Sequence, residues 1–344
     1  MKKKHCIVHI GMHKTGTTSI QTALYYKLND PNFSYVNLGV PNHGPRIFSL
    51  FHEKPETYPT HVKNGWDAKK IKQFNEETKS LLIKEFNSEN KSTMIISGEA
   101  ISMLPKVSIQ NFSIFLKKYF EKITIIGYVR TPKSYIESVF QQRLKSGVNT
   151  FSFLYPNYTN RFRKFDRFFG RENVHLKLFT PLNFPDKDVV RDFCNYFGIH
   201  INLTQSIKNN ESLSREAISI LYAYRKFGPG YGTGDKVIKE NTLLIEKLRG
   251  IGSRKLTFSP SLIKPIIERN RADLEWMEKR LGVPLLENMI SKEHDVKSEN
   301  DLLLFDEDII TQLKESIGIL DNNTKSTYLA QDIADLVHSL RYLK

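Results

Sequence analysis

Only two cysteines occur in 344 residues, which excludes a disulfide framework. Cys6 falls in a short apolar run and Cys194 in a helix-like run, so both read as core thiols. No stretch approaches the ~18 uninterrupted apolar residues of a membrane span. A secretory leader is not readable either. Met1-Lys-Lys-Lys resembles a basic leader start, but the apolar run behind it ends at Ile10. Together these absences lead us to expect a cytoplasmic protein without a transmembrane segment. There is no internal repeat and no low-complexity tract. Acidic residues are in deficit, 37 against 51 Lys and Arg, giving a formal charge of +14 and a pI near 9.5. A polyanionic partner is therefore expected, with solubility alone as the plainer reading. With 40% apolar and 26% charged residues, the chain is an ordinary globular one.

Apolar runs and helical spacings alternate along the first two hundred residues. Strands are expected at Cys6-Ile-Val-His-Ile10, at Thr93-Met-Ile-Ile-Ser97, at Ile123-Thr-Ile-Ile-Gly-Tyr-Val129, the clearest of them, and at Val174-His-Leu-Lys-Leu-Phe179. Helical spacing covers 67–90, 109–120, 133–146 and a segment through Phe193 and Phe197. Residues 29–66, rich in Pro, Asn, Gly and His, read as an irregular excursion. Tyr158, Phe162, Phe165 and Phe169 form a core-facing aromatic stripe. Arg161, Arg163, Lys164, Arg167 and Arg171 oppose it as a basic face expected in solvent. Such alternation predicts an open parallel α/β sheet flanked by helices, and the Gly11-x4-Gly16 loop behind its first strand makes it P-loop NTPase-like. Beyond residue 205 the pattern is almost wholly helical. One domain over 1–344 is expected, with an α/β core at 5–200, an excursion at 29–92 and a helical region at 205–344 packed on the core. The glycine cluster Gly228-Pro-Gly-Tyr-Gly-Thr-Gly234 follows no strand, lacks a dinucleotide-binding spacing and reads as a surface connection.

The first strand runs into Gly11-Met-His-Lys-Thr-Gly-Thr-Thr-Ser19 and then into the helix-like Ile20-Gln-Thr-Ala-Leu-Tyr25. A strand, a glycine-bounded loop and a helix N-terminus together cradle a phosphate, because successive N–H groups curl around the anion. The Gly11-x4-Gly16 spacing fits a P-loop. The residue after Gly16, however, is Thr17, where a nucleotide triphosphatase carries lysine. The loop's one lysine is Lys14, two residues before Gly16.

The run His13-Lys14-Thr15-Gly16-Thr17-Thr18-Ser19 resembles the 5′-phosphosulfate loop of sulfotransferases. That resemblance implies binding of 3′-phosphoadenosine 5′-phosphosulfate (PAPS) as co-substrate without a required metal ion. A second motif, Tyr128-Val-Arg130-Thr-Pro-Lys-Ser-Tyr-Ile-Glu-Ser138, closes the clearest strand. In sulfotransferases such a strand ends in Arg, with Ser eight residues later, and the two hold the 3′-phosphate of PAPS. Arg130 and Ser138 have that separation. A guanidinium forks onto phosphate oxygens and a helix hydroxyl adds a neutral donor. Two anion sites at strand ends also agree with ligand binding at the carboxyl edge of an open sheet.

Sulfuryl transfer needs a group to take the acceptor's proton. Ser97-Gly-Glu99 ends the strand preceding that of Arg130, where sulfotransferases place a catalytic residue: His in small-molecule enzymes, Glu in several carbohydrate enzymes. Lys14 and Glu99 are thus the candidate catalytic residues, with His43, in Asn42-His-Gly44, as reserve base. Neighbouring Lys14 and Arg130 are expected to keep Glu99 ionised. The resemblance is to bacterial-type, carbohydrate-sulfotransferase-like enzymes and implies a saccharide or glycolipid acceptor and no nucleic acid. It covers 5–27, 93–146 and, more weakly, 158–198. Ser19 stands where cytosolic enzymes often stack Trp on adenine, and Arg254-Lys-Leu256 lacks the glycine of their C-terminal Arg-Lys-Gly segment. Asn209-Asn-Glu-Ser-Leu-Ser214 offers polar replacements. The alternatives are a P-loop kinase of small molecules and a nonenzymatic polyanion-binding protein.

Overall fold

The apolar runs become the strands of one parallel sheet. The computed structural model describes residues 3–88, 91–202, 212–285, 287, 289–319 and 328–342. The chain begins with β1 (Lys3–His9), α1 (Thr17–Lys27), β2 (Phe33–Tyr35), α2 (Gly44–Phe51), α3 (Pro59–Lys63) and α4 (Ala68–Asn87). It continues through β3 (Thr93–Ser97), α5 (Lys106–Lys117), β4 (Phe120–Val129), α6 (Pro132–Lys145), α7 (Tyr158–Phe169), β5 (Val174–Leu178) and α8 (Val189–Phe197). Six further helices follow: α9 (Arg215–Phe227), α10 (Asp235–Leu248), α11 (Pro260–Arg269), α12 (Arg271–Leu281), α13 (Glu307–Ser316) and α14 (Ala330–Tyr342). The expected class, an open parallel sheet flanked by helices with a helical C-terminal part, is the one adopted. Among the described residues no helix is long and apolar enough to cross a membrane.

Strand order is β2-β3-β1-β4-β5, and every neighbouring pair is parallel. The chain leaves β3 on one side of β1 and returns as β4 on the other. The carboxyl edge beside β1 is therefore the topological switch point, where open α/β sheets bind ligands. All five residues of β3 are buried, as a central parallel strand covered on both faces requires. Ile7, Ile95, Ile126 and Tyr128 of the sheet pack with Ile20, Ala23 and Leu24 of α1 and with Val190, Phe193 and Cys194 of α8. Burying each large apolar side chain stabilises the fold by about 1.5–3 kcal/mol. Cys6 and Cys194 are free, buried thiols.

Residues 29–66 are more ordered than their composition suggests. β2 extends the sheet by pairing Phe33, Ser34 and Tyr35 with Thr93, Met94 and Ile95. Its three residues are too few to show a period, so only the partner strand makes them a strand. α2 starts with Pro45 in its first turn, where the missing N–H costs nothing.

The chain divides into two compact units. The first comprises the described parts of 1–131, 156–210 and 272–285 and contains the whole sheet. The second takes the described parts of 132–155, 211–271 and 286–344. In it α9 is buried from Glu216 to Arg225 and packs against α6 and α14. Ser214 caps α9 by accepting the Ala217 N–H at 2.9 Å. Glu137 of α6 accepts from Lys133 Nζ at 2.5 Å and from the Phe258 N–H at 3.0 Å. The glycine cluster 228–234 links α9 to α10.

Candidate active site

Residues 10–16 connect β1 to α1 at the switch point. Gly11, Lys14 and Gly16 all have positive φ, at 49°, 68° and 73°. Glycine is required twice here for space as well. A Cβ on Gly11 would lie 2.6 Å from Thr17 Oγ1, and one on Gly16 would lie 2.5 Å from Val189 Cγ1. Thr15 is wholly buried and turns its hydroxyl back to donate to the Met12 carbonyl at 2.7 Å. Thr17 Oγ1 lies 3.4 Å from Thr15 Oγ1, while Thr18 is exposed and Ser19 half-buried. Gly16 is the N-cap of α1, without a side-chain cap and with no acid in the first turn. The leading N–H groups of α1 have no intrahelical acceptor and sit at the positive end of its dipole. Such a loop can hold an anion. Lys14, an L-residue in the left-handed region, carries strain of order 1–3 kcal/mol, which the fold sustains at this point.

Arg130 is built into the same loop. Its guanidinium donates to the Lys14 carbonyl at 2.7 Å and lies over the Phe179 ring, 5.9 Å from the centroid. The Tyr158 hydroxyl donates to the Arg130 carbonyl at 2.6 Å, fixing the strand end against α7. Burial lowers the Lys14 ammonium pKa, Arg130 lowers it further, and Glu99 opposes both. Ser138 lies on α6 in the second unit, 9% exposed. Its association with Arg130 therefore rests on sequence spacing.

Glu99 opens a short 3₁₀ turn, Glu99–Met103, immediately after β3. It adjoins the loop, since a Cβ on Gly11 would lie 3.4 Å from Glu99 Cβ. Burial raises its carboxyl pKa, and Lys14 and Arg161 only partly oppose the rise. The expectation that neighbouring cations would dominate is thus reversed, because desolvation of the carboxylate is the larger effect. A carboxyl shifted upward is a better proton acceptor.

Two cations of α7 hold that turn. The Ser102 hydroxyl donates to the Glu99 carbonyl at 2.8 Å and accepts from Arg161 Nη1 at 3.0 Å. Lys164 Nζ donates to the Ser102 carbonyl at 2.8 Å. Arg161 and Lys164 are only 6% and 8% exposed, which corrects the reading of the whole basic face as solvated. Arg163, Arg167 and Arg171 are exposed. The signal was available: Arg161 is three residues from Tyr158 and four from Phe165, so it borders the buried stripe. Burial, with Arg161 nearby, lowers the Lys164 pKa to about 7.

The histidines are enclosed. His43 is fully buried, stacks on Tyr35 with centroids 4.5 Å apart, and accepts the Ser97 N–H on Nδ1 at 3.2 Å. Its Nε2 has no partner among the described residues, and burial lowers its pKa to about 3. His13, half-buried in the loop, is lowered to about 4 by burial, then by Arg161 and Lys14. His9, which sequence reasoning passed over, ends β1 just before the loop, with Nδ1 2.8 Å from Ser97 Oγ. Its position in an apolar strand gave no sign of a polar pair to β3. Elsewhere, Arg254 is committed to the carboxylates of Glu216 and Asp306 within the second unit. Of the polar segment 209–214, residues 209–211 lie outside the described residues.

No known family profile matches the chain, and no curated protein does. Among solved structures, the chain is similar to a sulfotransferase from Alicyclobacillus acidocaldarius. The identity is 14%, over 64% of this chain and 91% of that one, with a TM-score of 0.37. That likeness is too loose to bear on the site.

Proposed function

We propose that this chain is a sulfotransferase that moves a sulfuryl group from PAPS to a hydroxyl or amine of a carbohydrate or glycolipid acceptor. The observation that carries the reading is the meeting of Lys14 and Glu99 at one glycine-built anion loop. The loop suits the phosphosulfate end of the donor. Positive φ at Gly11, Lys14 and Gly16 curls the backbone, and the two glycines let it pass close to Thr17 and Val189 where a Cβ would collide. N–H groups of Gly16, Thr17, Thr18 and Ser19 are the natural donors to its oxygens. Thr15, with its hydroxyl spent on Met12, shapes the loop, and His13 is assigned to it on its place beside Lys14 in the sequence.

The donor supplies the sulfuryl group to this site. Lys14 neutralises the charge that develops on the 5′-phosphate oxygen as its bond to sulfur breaks. Glu99 takes the acceptor's proton as the new sulfur–oxygen or sulfur–nitrogen bond forms. Arg130 and Ser138 are assigned to the 3′-phosphate on their spacing. His43 is the reserve base. A saccharide acceptor is favoured by the carboxylate base, as in the carbohydrate enzymes the sequence resembles, and by the net charge of +14.

Calorimetry tests the donor. Adenosine 3′,5′-bisphosphate should bind at least ~10-fold tighter than AMP, ~1.4 kcal/mol for the second phosphate, and EDTA should change nothing. Equal affinities would remove Arg130 and Ser138 from the site, and tighter binding of ATP–Mg would make the chain a kinase. Radiolabelled sulfate should pass from PAPS to glycans or glycolipids and not to simple phenols.

A further inference from the structure

The first unit contains a second basic feature, a groove of about 880 Å³ along α7. Seven Lys or Arg side chains line it against a single carboxylate, Asp166. That carboxylate is already taken by Arg280, through two hydrogen bonds of 2.8 Å. Lys106, Arg163, Arg167, Arg171 and Lys279 are exposed, and none pairs with a carboxylate among the described residues. Like charges gathered in a concavity repel one another and raise the local concentration of anions. Trp276, half-buried, is the one aromatic side chain lining the groove among the described residues. Thr159 and Asn160 add neutral hydrogen-bonding groups.

We infer that this groove binds a polyanionic polysaccharide, one bearing carboxylate or sulfate groups along its chain. The cations lie on several elements: Arg163 and Arg167 on α7, Lys279 on α12 and Lys106 at the start of α5. Arg163 and Arg167 stand one helical turn apart, ~6 Å along the axis, so they reach successive anionic groups of an extended chain. The carbon–hydrogen face of a pyranose covers an indole, and Asn160 and Thr159 suit its hydroxyls. A single-stranded nucleic acid is served by a series of aromatic platforms, and this groove has one. Lys164 joins the two sites, lining the groove while its Nζ holds the Ser102 carbonyl of the Glu99 turn.

The inference stands apart from sulfuryl transfer, because binding is measured without donor or turnover. Fluorescence anisotropy with a labelled chondroitin sulfate oligosaccharide should show saturable binding that weakens as salt rises. Neutral dextran should not compete. The double variant Arg163→Glu/Arg167→Glu should weaken binding at least ~10-fold, and Lys279→Glu alone should weaken it severalfold. All three positions are exposed, so circular dichroism should report unchanged folding. Trp276→Ala should also reduce affinity. Unchanged affinity in the double variant, or tighter binding of oligo(dT) than of chondroitin sulfate, would overturn the assignment.

Discussion

Replacing Arg161 by glutamine should move the acid limb of the pH–rate profile upward. In the folded protein burial already raises the Glu99 carboxyl pKa, and Arg161 is one of two cations that restrain the rise. A nearby positive charge favours the ionised carboxylate and so opposes the effect of burial. Arg161 ranks behind Lys14 in its effect, so its loss should let the carboxyl pKa rise further, by less than loss of Lys14 would. A base must be deprotonated to act, so kcat/KM falls as pH drops through that value. In Arg161→Gln the fall should begin at a higher pH, with severalfold less activity below the original limb and a smaller loss on the alkaline plateau. Initial rates of sulfuryl transfer from PAPS across the pH range measure this directly. Ser102→Ala removes the hydroxyl linking Arg161 to the Glu99 carbonyl but no charge. It should lower the plateau and leave the limb in place, while Arg161→Lys should restore the limb. A limb that stays put in Arg161→Gln, or shifts equally in Ser102→Ala, refutes the electrostatic role.

Two further outcomes follow from the same residues. Glu99→Gln should cut turnover roughly 100-fold without lowering thermal stability at pH 7.5. The folded protein binds the Glu99 proton more tightly than the unfolded chain does. Ionisation therefore costs stability as pH rises from the ordinary carboxyl range through the raised value, a cost the neutral amide escapes; a thermal melt showing clear destabilisation would contradict this. Lys14→Ala and Lys14→Gly should both lose on the order of 100-fold in turnover. The glycine variant should be the more stable by ~1 kcal/mol in urea unfolding, because only glycine accepts the φ of 68° without strain. Loss of donor affinity alone would leave Lys14 a plain phosphate anchor.

The sheet was legible where apolar runs are continuous and long enough to mark a strand buried on both faces, as in residues 123–129. The loop was legible because Gly11 and Gly16 punctuate it between a strand and a helix. β2 was not, since Phe33–Tyr35 acquires its identity only by pairing with β3. Nor were the roles of Arg161 and Lys164, whose charge argues for solvent while their helical position argues for the interior. Position prevailed because the Ser102 hydroxyl and carbonyl satisfy their hydrogen bonds. The direction of the Glu99 shift depends on how much water burial removes, which no spacing records.

Gly98 has an extended backbone, φ −167°, that any residue adopts, yet a Cβ there would lie 2.5 Å from the Cα and N of Gly44. Two main chains touch at that point, one leading to Glu99 and the other leaving His43. A methyl group at position 98 would have to push α2 away from β3, and with it the turn that aims the carboxylate. Random mutagenesis should therefore find position 98 intolerant for a reason unrelated to chemistry or stability alone. Its side-chain-free surface acts as a gauge block, setting by thickness where the base stands. Suppressors of a Gly98→Ala lesion should then arise in residues 41–46, far in sequence from the lesion they repair.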